Sequence, residues 1–234
     1  MLEHPENPNR LKAIIEVVHN SKIRERLDIV SEFEEVDNQS IINSGFSEDY
    51  VSYVEDLWAF AGNKESMKYF DTYYNKHTPR AAKLAAQALK ICVDKVLAQD
   101  ESNQEWTSSF AAVRPPGHHA GTKDRISGFC FFNNIAIGVT YADYILKTRI
   151  KNPITEPRIV IFDWDVHHGD STQRLFSKNK NVLFISFHKH DYGDFFPGKS
   201  GAIENVGEGD AAGYCLNLCW NTRPGSDYRV RNMT

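Results

Sequence analysis

Two short runs constrain this 234-residue chain more than anything else in it: Arg158-Ile159-Val160-Ile161-Phe162-Asp163 and Asn181-Val182-Leu183-Phe184-Ile185-Ser186-Phe187. Both are continuously apolar and rich in β-branched or aromatic side chains, the pattern of strands buried on both faces. Between them Ser171 to Phe176 reads as a helix or turn. Strand, helix, strand in that order predicts an α/β fold, a parallel sheet with helices on both faces. Ligands of such sheets bind at the carboxyl ends of the strands, and there the unusual residues of this chain cluster.

The first run leads into Asp163-Trp164-Asp165-Val166-His167-His168-Gly169. Alternate side chains of an extended segment share a face, so Asp163, Asp165 and His167 point the same way. An aspartate and a histidine two positions apart at a strand tip can reach one small divalent ion. A catalytic zinc takes three nitrogen or oxygen ligands from protein and keeps a position open for water. Asp165 and His167 are therefore candidate ligands. The competing reading is a solvated turn, against which stands the cost of placing unpaired carboxylates beside a buried strand.

A second motif is Arg114-Pro115-Pro116-Gly117-His118-His119-Ala120. It follows Phe110-Ala111-Ala112-Val113, an apolar run read as a further short strand. Histidine titrates near neutrality and is the usual proton carrier for an activated water. It works best when a carboxylate fixes its tautomer, and Asp163 and Asp170 flank the other motif. Two core histidines satisfied by the backbone are the alternative. A third element is aromatic: Gly128-Phe129-Cys130-Phe131-Phe132-Asn133-Asn134 and Asp194-Phe195-Phe196-Pro197-Gly198 set phenylalanines beside glycines. Any one of them is ordinarily core, but near a metal they could wall a narrow apolar channel for a long uncharged side chain such as an acylated lysine.

Elsewhere helices are predicted over Arg10–Val18, from the N-cap Ser47 through Phe60 to a stop at Gly62, from Pro79 through Val96, and over Asn134–Lys147. Gln99 to Thr107 reads as a polar loop. Gly207 to Gly213 and Gly198-Lys199-Ser200-Gly201 mimic phosphate loops with the wrong spacing and are better read as turns. No repeat divides the chain, so residues 1–234 are expected to form a single domain. A net charge of −4 gives no basic patch for direct nucleic-acid binding. No apolar run approaches the ~20 residues of a membrane span, and the polar start carries no secretory signal. Cys92, Cys130, Cys215 and Cys219 lack zinc-ribbon spacing and are expected to be reduced thiols.

Taken together, Arg-Pro-Pro-Gly-His-His, Gly-Phe-Cys-Phe-Phe-Asn-Asn, Asp-Trp-Asp-Val-His-His-Gly, Phe-Phe-Pro-Gly and the opening His4-Pro5-Glu6-Asn7-Pro8-Asn9-Arg10 resemble the class II histone deacetylases. The likeness runs from about His4 to Tyr228. It implies the arginase/deacetylase fold, here incomplete, and zinc-dependent hydrolysis of acetyl-lysine in histone tails or other proteins. By motif position it implies zinc on Asp165 and His167, with His118 paired to Asp163 and His119 oriented by Asp170. Gly128, Phe129 and Phe196 would line the acetyl-lysine tunnel. A structural potassium ion would use Asp163, Asp165, His167, Ser186 and Phe187, largely through main-chain oxygens. Corepressor-type complexes as partners, and residence in the nucleus or cytoplasm, come with the resemblance.

Two departures alter those expectations. Asp170 stands where class II sequences usually carry asparagine. The family's third zinc ligand and its oxyanion-stabilising tyrosine lie beyond the segment matching Trp220 to Tyr228, so this chain alone is expected to be a weak or inactive deacetylase. A non-catalytic relative that binds partners, and a metal hydrolase of acetylpolyamines, are the alternatives.

Overall fold

The computed structural model describes residues 4–61, 67–69, 72–97, 108–121, 125–150 and 152–222. The chain divides into two compact units, Met1–Ala120 with Asp124–Ile145, and Gly121–Lys123 with Leu146–Thr234.

The first unit is built from helices and one hairpin. Helix α1 (Pro8–Asn20) starts where the Asn7 side chain accepts the Asn9 N–H and Pro8 occupies the first turn, a position that needs no N–H. Asp37 caps α2 (Asn38–Asn43) and Ser47 caps α3 (Glu48–Glu55), each accepting the N–H three residues on. The helix expected from Ser47 to Phe60 is α-helical only as far as Glu55 and continues as a 3-10 turn over Asp56–Ala61. The expected stop, Gly62, lies outside the described residues, as does the polar loop at 99–107. A two-stranded antiparallel hairpin, β1 (Met67–Tyr69) and β2 (Thr72–Tyr74), leads into α4 (Thr78–Leu97). Helix α5 (Asn134–Thr148) follows. The core gathers Ile41, Val54, Leu57, Ala86, Phe131 and Phe132, none more than 2 % exposed. Residues 108–113 form no strand, contrary to expectation, and Phe110 is exposed.

The second unit carries the sheet. Strands β3 (Ile159–Asp163), β4 (Val182–Lys189) and β5 (Cys215–Trp220) pair in parallel in that order, with α6 (Asp170–Phe176) between β3 and β4. The two runs that dominate the sequence are thus β3 and β4. The expectation that both faces are buried fails for β3, which is exposed on one face, and holds only in part for β4, whose second face is half-buried. Val182, Phe184, Ser186 and His188 of β4 are buried. On the opposite face Val160 and Phe162 of β3 and Leu216 and Leu218 of β5 stay exposed. Apolar residues on both faces thus do not by themselves say what covers each face. Strand β5 follows the turn at Gly207 to Gly213 and is not among the elements that the sequence predicts. All four cysteines are free thiols, Cys130 and Cys215 buried.

Candidate functional site

In the second unit, Asp163 ends β3 opposite Ser186 of β4. The chain then leaves the sheet in two successive side-chain turns: Asp163 Oδ1 accepts the Asp165 N–H at 3.1 Å, and Asp165 Oδ1 accepts the His167 N–H at 2.8 Å. Short carboxylates that bond the backbone two residues on are a normal device of turns. Here they repeat and fold the tip so that Asp165 Oδ1 and His167 Nδ1 lie 3.1 Å apart. The Lys189 N–H donates to Val166 O at 2.9 Å and ties the tip to the end of β4.

That spacing tests whether the pair suits a metal. Ligand bonds of about 2.0–2.2 Å meeting at a tetrahedral angle put two donor atoms roughly 3.3–3.6 Å apart. The observed pair is close to this and presents one carboxylate oxygen and one imidazole nitrogen, a donor set zinc accepts. Among the described residues no group of three or more His, Cys, Asp or Glu side chains is gathered to hold a metal ion.

The two histidines of this motif differ in kind. His167 is partly exposed; its ring stacks on Phe195 at 5.0 Å with 4° between planes and meets Phe196 edge-on at 5.6 Å. His168 is buried, 4.6 Å from the His188 ring, with Nε2 at 3.0 Å from Gln173 Oε1 and Nδ1 at 3.3 Å from Ser200 Oγ. Burial, reinforced by neighbouring His188, pushes the His168 pKa down to about 4. His188 is lowered for the same first reason; its Nδ1 lies 2.9 Å from Ser186 Oγ and its Nε2 2.9 Å from Gly201 O. His168 and His188 are thus neutral core residues. Gly201 leaves room for them, since a Cβ there would lie 2.5 Å from His188 Nε2 and 2.6 Å from His168 Cγ.

The first unit holds the other motif. His118 and His119 have ring centroids 4.0 Å apart, and His119 is buried. Their loop is gripped from the start of α5: Asn134 Nδ2 donates to Pro115 O at 3.1 Å and Asn133 Nδ2 donates to Ala120 O at 3.2 Å. Gly117 is required by close approach, because a Cβ would meet Asn134 N at 2.6 Å and Phe132 O at 2.8 Å. Arg114 Nε donates to Glu6 at 3.0 Å, and Glu6 also receives Arg10 Nε at 3.0 Å, so the N-terminal segment braces the same loop. The peptide bonds Arg114–Pro115 and Phe196–Pro197 are cis.

Gly128 packs against His119 so closely that a Cβ would overlap the imidazole. It and Phe129 are the central residues of a turn closed by Cys130 N–H to Ser127 O at 2.9 Å, with φ of +52° and +68°. Positive φ at both positions is the demand of a type I′ turn, which normally selects glycine or asparagine second. A left-handed phenylalanine costs roughly 1–2 kcal/mol.

The structure therefore brings Gly128 to His119 in the first unit, and Asp165 to His167, Phe196 to His167, and Asp163 to Ser186 in the second. Phe187 follows Ser186 on β4, and Asp170 opens α6. Phe195, to which the resemblance assigns no role, is the ring that stacks on His167, and nothing in Phe-Phe-Pro-Gly tells which of the two does so. The clamping roles of Asn133, Asn134 and Glu6 also escape one-dimensional reading, although all three stand inside the quoted motifs.

Comparison with known proteins adds the following. The histone deacetylase domain model matches residues 4–234. Histone deacetylase 15 of Arabidopsis thaliana is 37% identical over 220 residues, which are 93% of this chain and 36% of that protein. Polyamine deacetylase HDAC10 of Danio rerio is 33% identical over 225 residues, 92% of this chain and 30% of that protein. The crystal structure of the HDA15 HD domain superposes with a TM-score of 0.78 at 33% identity, covering 94% of this chain and 56% of that one. The chain thus spans about a third of the length of these curated relatives.

Proposed function

Since the chain belongs to the histone deacetylase domain family, we propose that it carries part of the active site of a zinc-dependent lysine deacetylase acting on histone tails or other acetylated proteins. The single observation that carries the reading is the 3.1 Å pairing of Asp165 Oδ1 with His167 Nδ1 at the carboxyl end of a parallel strand. Bound zinc supplies polarisation of the acetyl carbonyl and a lowered pKa for water. Asp165 and His167 are the residues of the second unit that would hold it. The imidazoles of His118 and His119 take the proton of the attacking water and return it to the departing lysine Nζ, leaving acetate and free lysine. On the family resemblance, Asp163 and Asp170 are the carboxylates assigned to fixing a histidine tautomer. Gly128 and Phe129 of the first unit, and Phe196 of the second, are assigned to lining an acyl-lysine channel on the same resemblance. On the same resemblance a potassium ion would be held at Asp163, Ser186 and Phe187, where the last residue of β3 pairs with the middle of β4. The corepressor-type partners and the nuclear or cytoplasmic residence rest on the resemblance alone.

One relative bears the name polyamine deacetylase, so small acetylated amines are the second substrate class. Both are tested by incubating the purified chain with zinc and either an acetyl-lysine peptide or acetylspermidine and measuring acetate release. Peptide turnover that vanishes in His167→Ala supports the main reading. Turnover of acetylspermidine alone moves the protein to the second class. Bound zinc and peptide without acetate release would leave a binding protein.

A further inference from the structure

Phe129 holds its place against both conformational preference and space. Its backbone is left-handed at φ +68°, in a turn position where a side chain is normally avoided. A strained residue is kept only where its surroundings over-determine it, and such residues gather at functional sites. Two contacts do this. The Phe129 N–H, facing out of its own turn, donates to Thr72 Oγ1 at 3.1 Å. The ring of His4 stands edge-on to the Phe129 ring at 4.8 Å and to Tyr73 at 5.1 Å.

Packing alone does not supply the same constraint. Phe129, Thr72, Tyr73 and His4 border a cavity of about 200 Å³, reaching back to Arg114 and Pro115. A phenylalanine ring beside a space of that size has somewhere to swing. Thr72 is 3 % exposed at the start of β2. Its hydroxyl is thus sheltered from competing water, where an unmade hydrogen bond is costly.

We propose that Thr72 and His4 are positioning residues that hold Phe129 in its left-handed turn so that its ring stands as a fixed wall beside the acylated lysine. The proposal deepens the deacetylase reading and rests on Phe129 lining the acyl-lysine channel. Thr72 acts through the main chain of Phe129 and His4 through its ring. Neither is assigned a contact with the reacting atoms.

The experiment uses the full 234-residue chain with zinc, a fluorescein-labelled acetyl-lysine peptide and its unacetylated twin. Dissociation constants are read by anisotropy, or KM and kcat where the peptide is turned over. Thr72→Val keeps the shape of the side chain and loses the acceptor. It should weaken binding of the acetylated peptide about tenfold, the size of one lost buried hydrogen bond. Binding of the unacetylated twin should not change, nor kcat where it can be measured. Thr72→Ser should restore wild-type affinity. His4→Ala, at a partly exposed ring, should cost about threefold, in line with a single aromatic pair.

Phe129→Ala is the control that separates the two levels of the claim. If Phe129→Ala weakens acetylated-peptide binding while Thr72→Val and His4→Ala do not, the channel reading stands and the clamp is refuted. Equal losses in Thr72→Val and Thr72→Ser would also refute it, since the hydroxyl would then be irrelevant. If Phe129→Ala changes nothing, the channel reading fails and the clamp fails with it. Should Thr72→Val not fold, His4→Ala and Thr72→Ser decide the matter by the same comparison of the two peptides.

Discussion

The histidine loop of the first unit and the aspartate–histidine tip of the second are built on opposite principles. Residues 114–120 are seated in a core: Gly117 has no room for a methyl group, His119 is buried, and two asparagine amides hold the loop carbonyls. Residues 163–167 stand out from the sheet. Trp164 is 79 % exposed, and the tip is shaped by hydrogen bonds among its own aspartates and backbone. Proton-carrying groups must keep a fixed tautomer and orientation, which packing provides. Metal ligands need only bring donor atoms to one point, which a short turn can do and an ion then completes. The division of labour follows from the chemistry each motif is proposed to perform.

This contrast breaks most visibly under acid, and in the second unit. His168 has a folded-state pKa near 4 and His188 is also lowered, both first because burial disfavours the charged ring. Below the ordinary histidine value of 6.5 the unfolded chain therefore binds more protons than the folded one, so stability falls as pH falls. Between pH 6.5 and 4 the loss should reach about 3 kcal/mol from His168 alone, measured by urea unfolding in the presence of a chelator. A flat profile over that range would mean that His168 is not buried as a neutral ring.

Next in size is a change in the first unit. Gly117→Ala should destabilise by about 2 kcal/mol through overpacking against the Asn134 and Phe132 backbone. It should also disturb His118 and His119, visible as shifted imidazole NMR signals. If Gly117→Ala melts with wild type, the loop is not seated as described. Asp191→Asn should cost about 1 kcal/mol. Although burial opposes its ionisation, the Thr222 N–H at 2.6 Å and Lys189 Nζ at 2.9 Å hold the Asp191 carboxyl below its usual range. Thermal melting checks this; an unchanged midpoint would remove Asp191 as an anchor for the turn before Phe195. The smallest effect belongs to the exposed tip: Trp164→Ser should change stability by under about 0.5 kcal/mol. A larger loss would show that the tip is packed after all.

How much of this was legible beforehand depends on which contacts are local. Strands β3 and β4 and helix α6 are encoded in hydrophobic runs and their punctuation, so the sheet, its parallel sense and the end that carries the motif could be read directly. The cap Ser47 and the helix after Pro79 are likewise local. The reading failed where the decisive partner lies far along the chain. Phe110–Val113 has strand composition but no ladder partner among the described residues. His167 and His168 are identical letters in one motif, yet Phe195 and Phe196 take one while Phe184, His188, Ser200 and Gln173 enclose the other. Thr72 carries no motif at all, and only its bond to Phe129, 57 residues away, gives it a role. Neither does an apolar run reveal what covers each of its faces, as Val160 and Phe162 show.

The central claim is that Asp165 and His167 form one half of a metal grip, and competition with a chromophoric zinc chelator tests it directly. The account predicts that the chain takes up one zinc and that Asp165→Ala and His167→Ala each weaken uptake by at least about tenfold, the scale on which even supporting residues of metal sites act. Equal zinc affinity in wild type and both variants would contradict it.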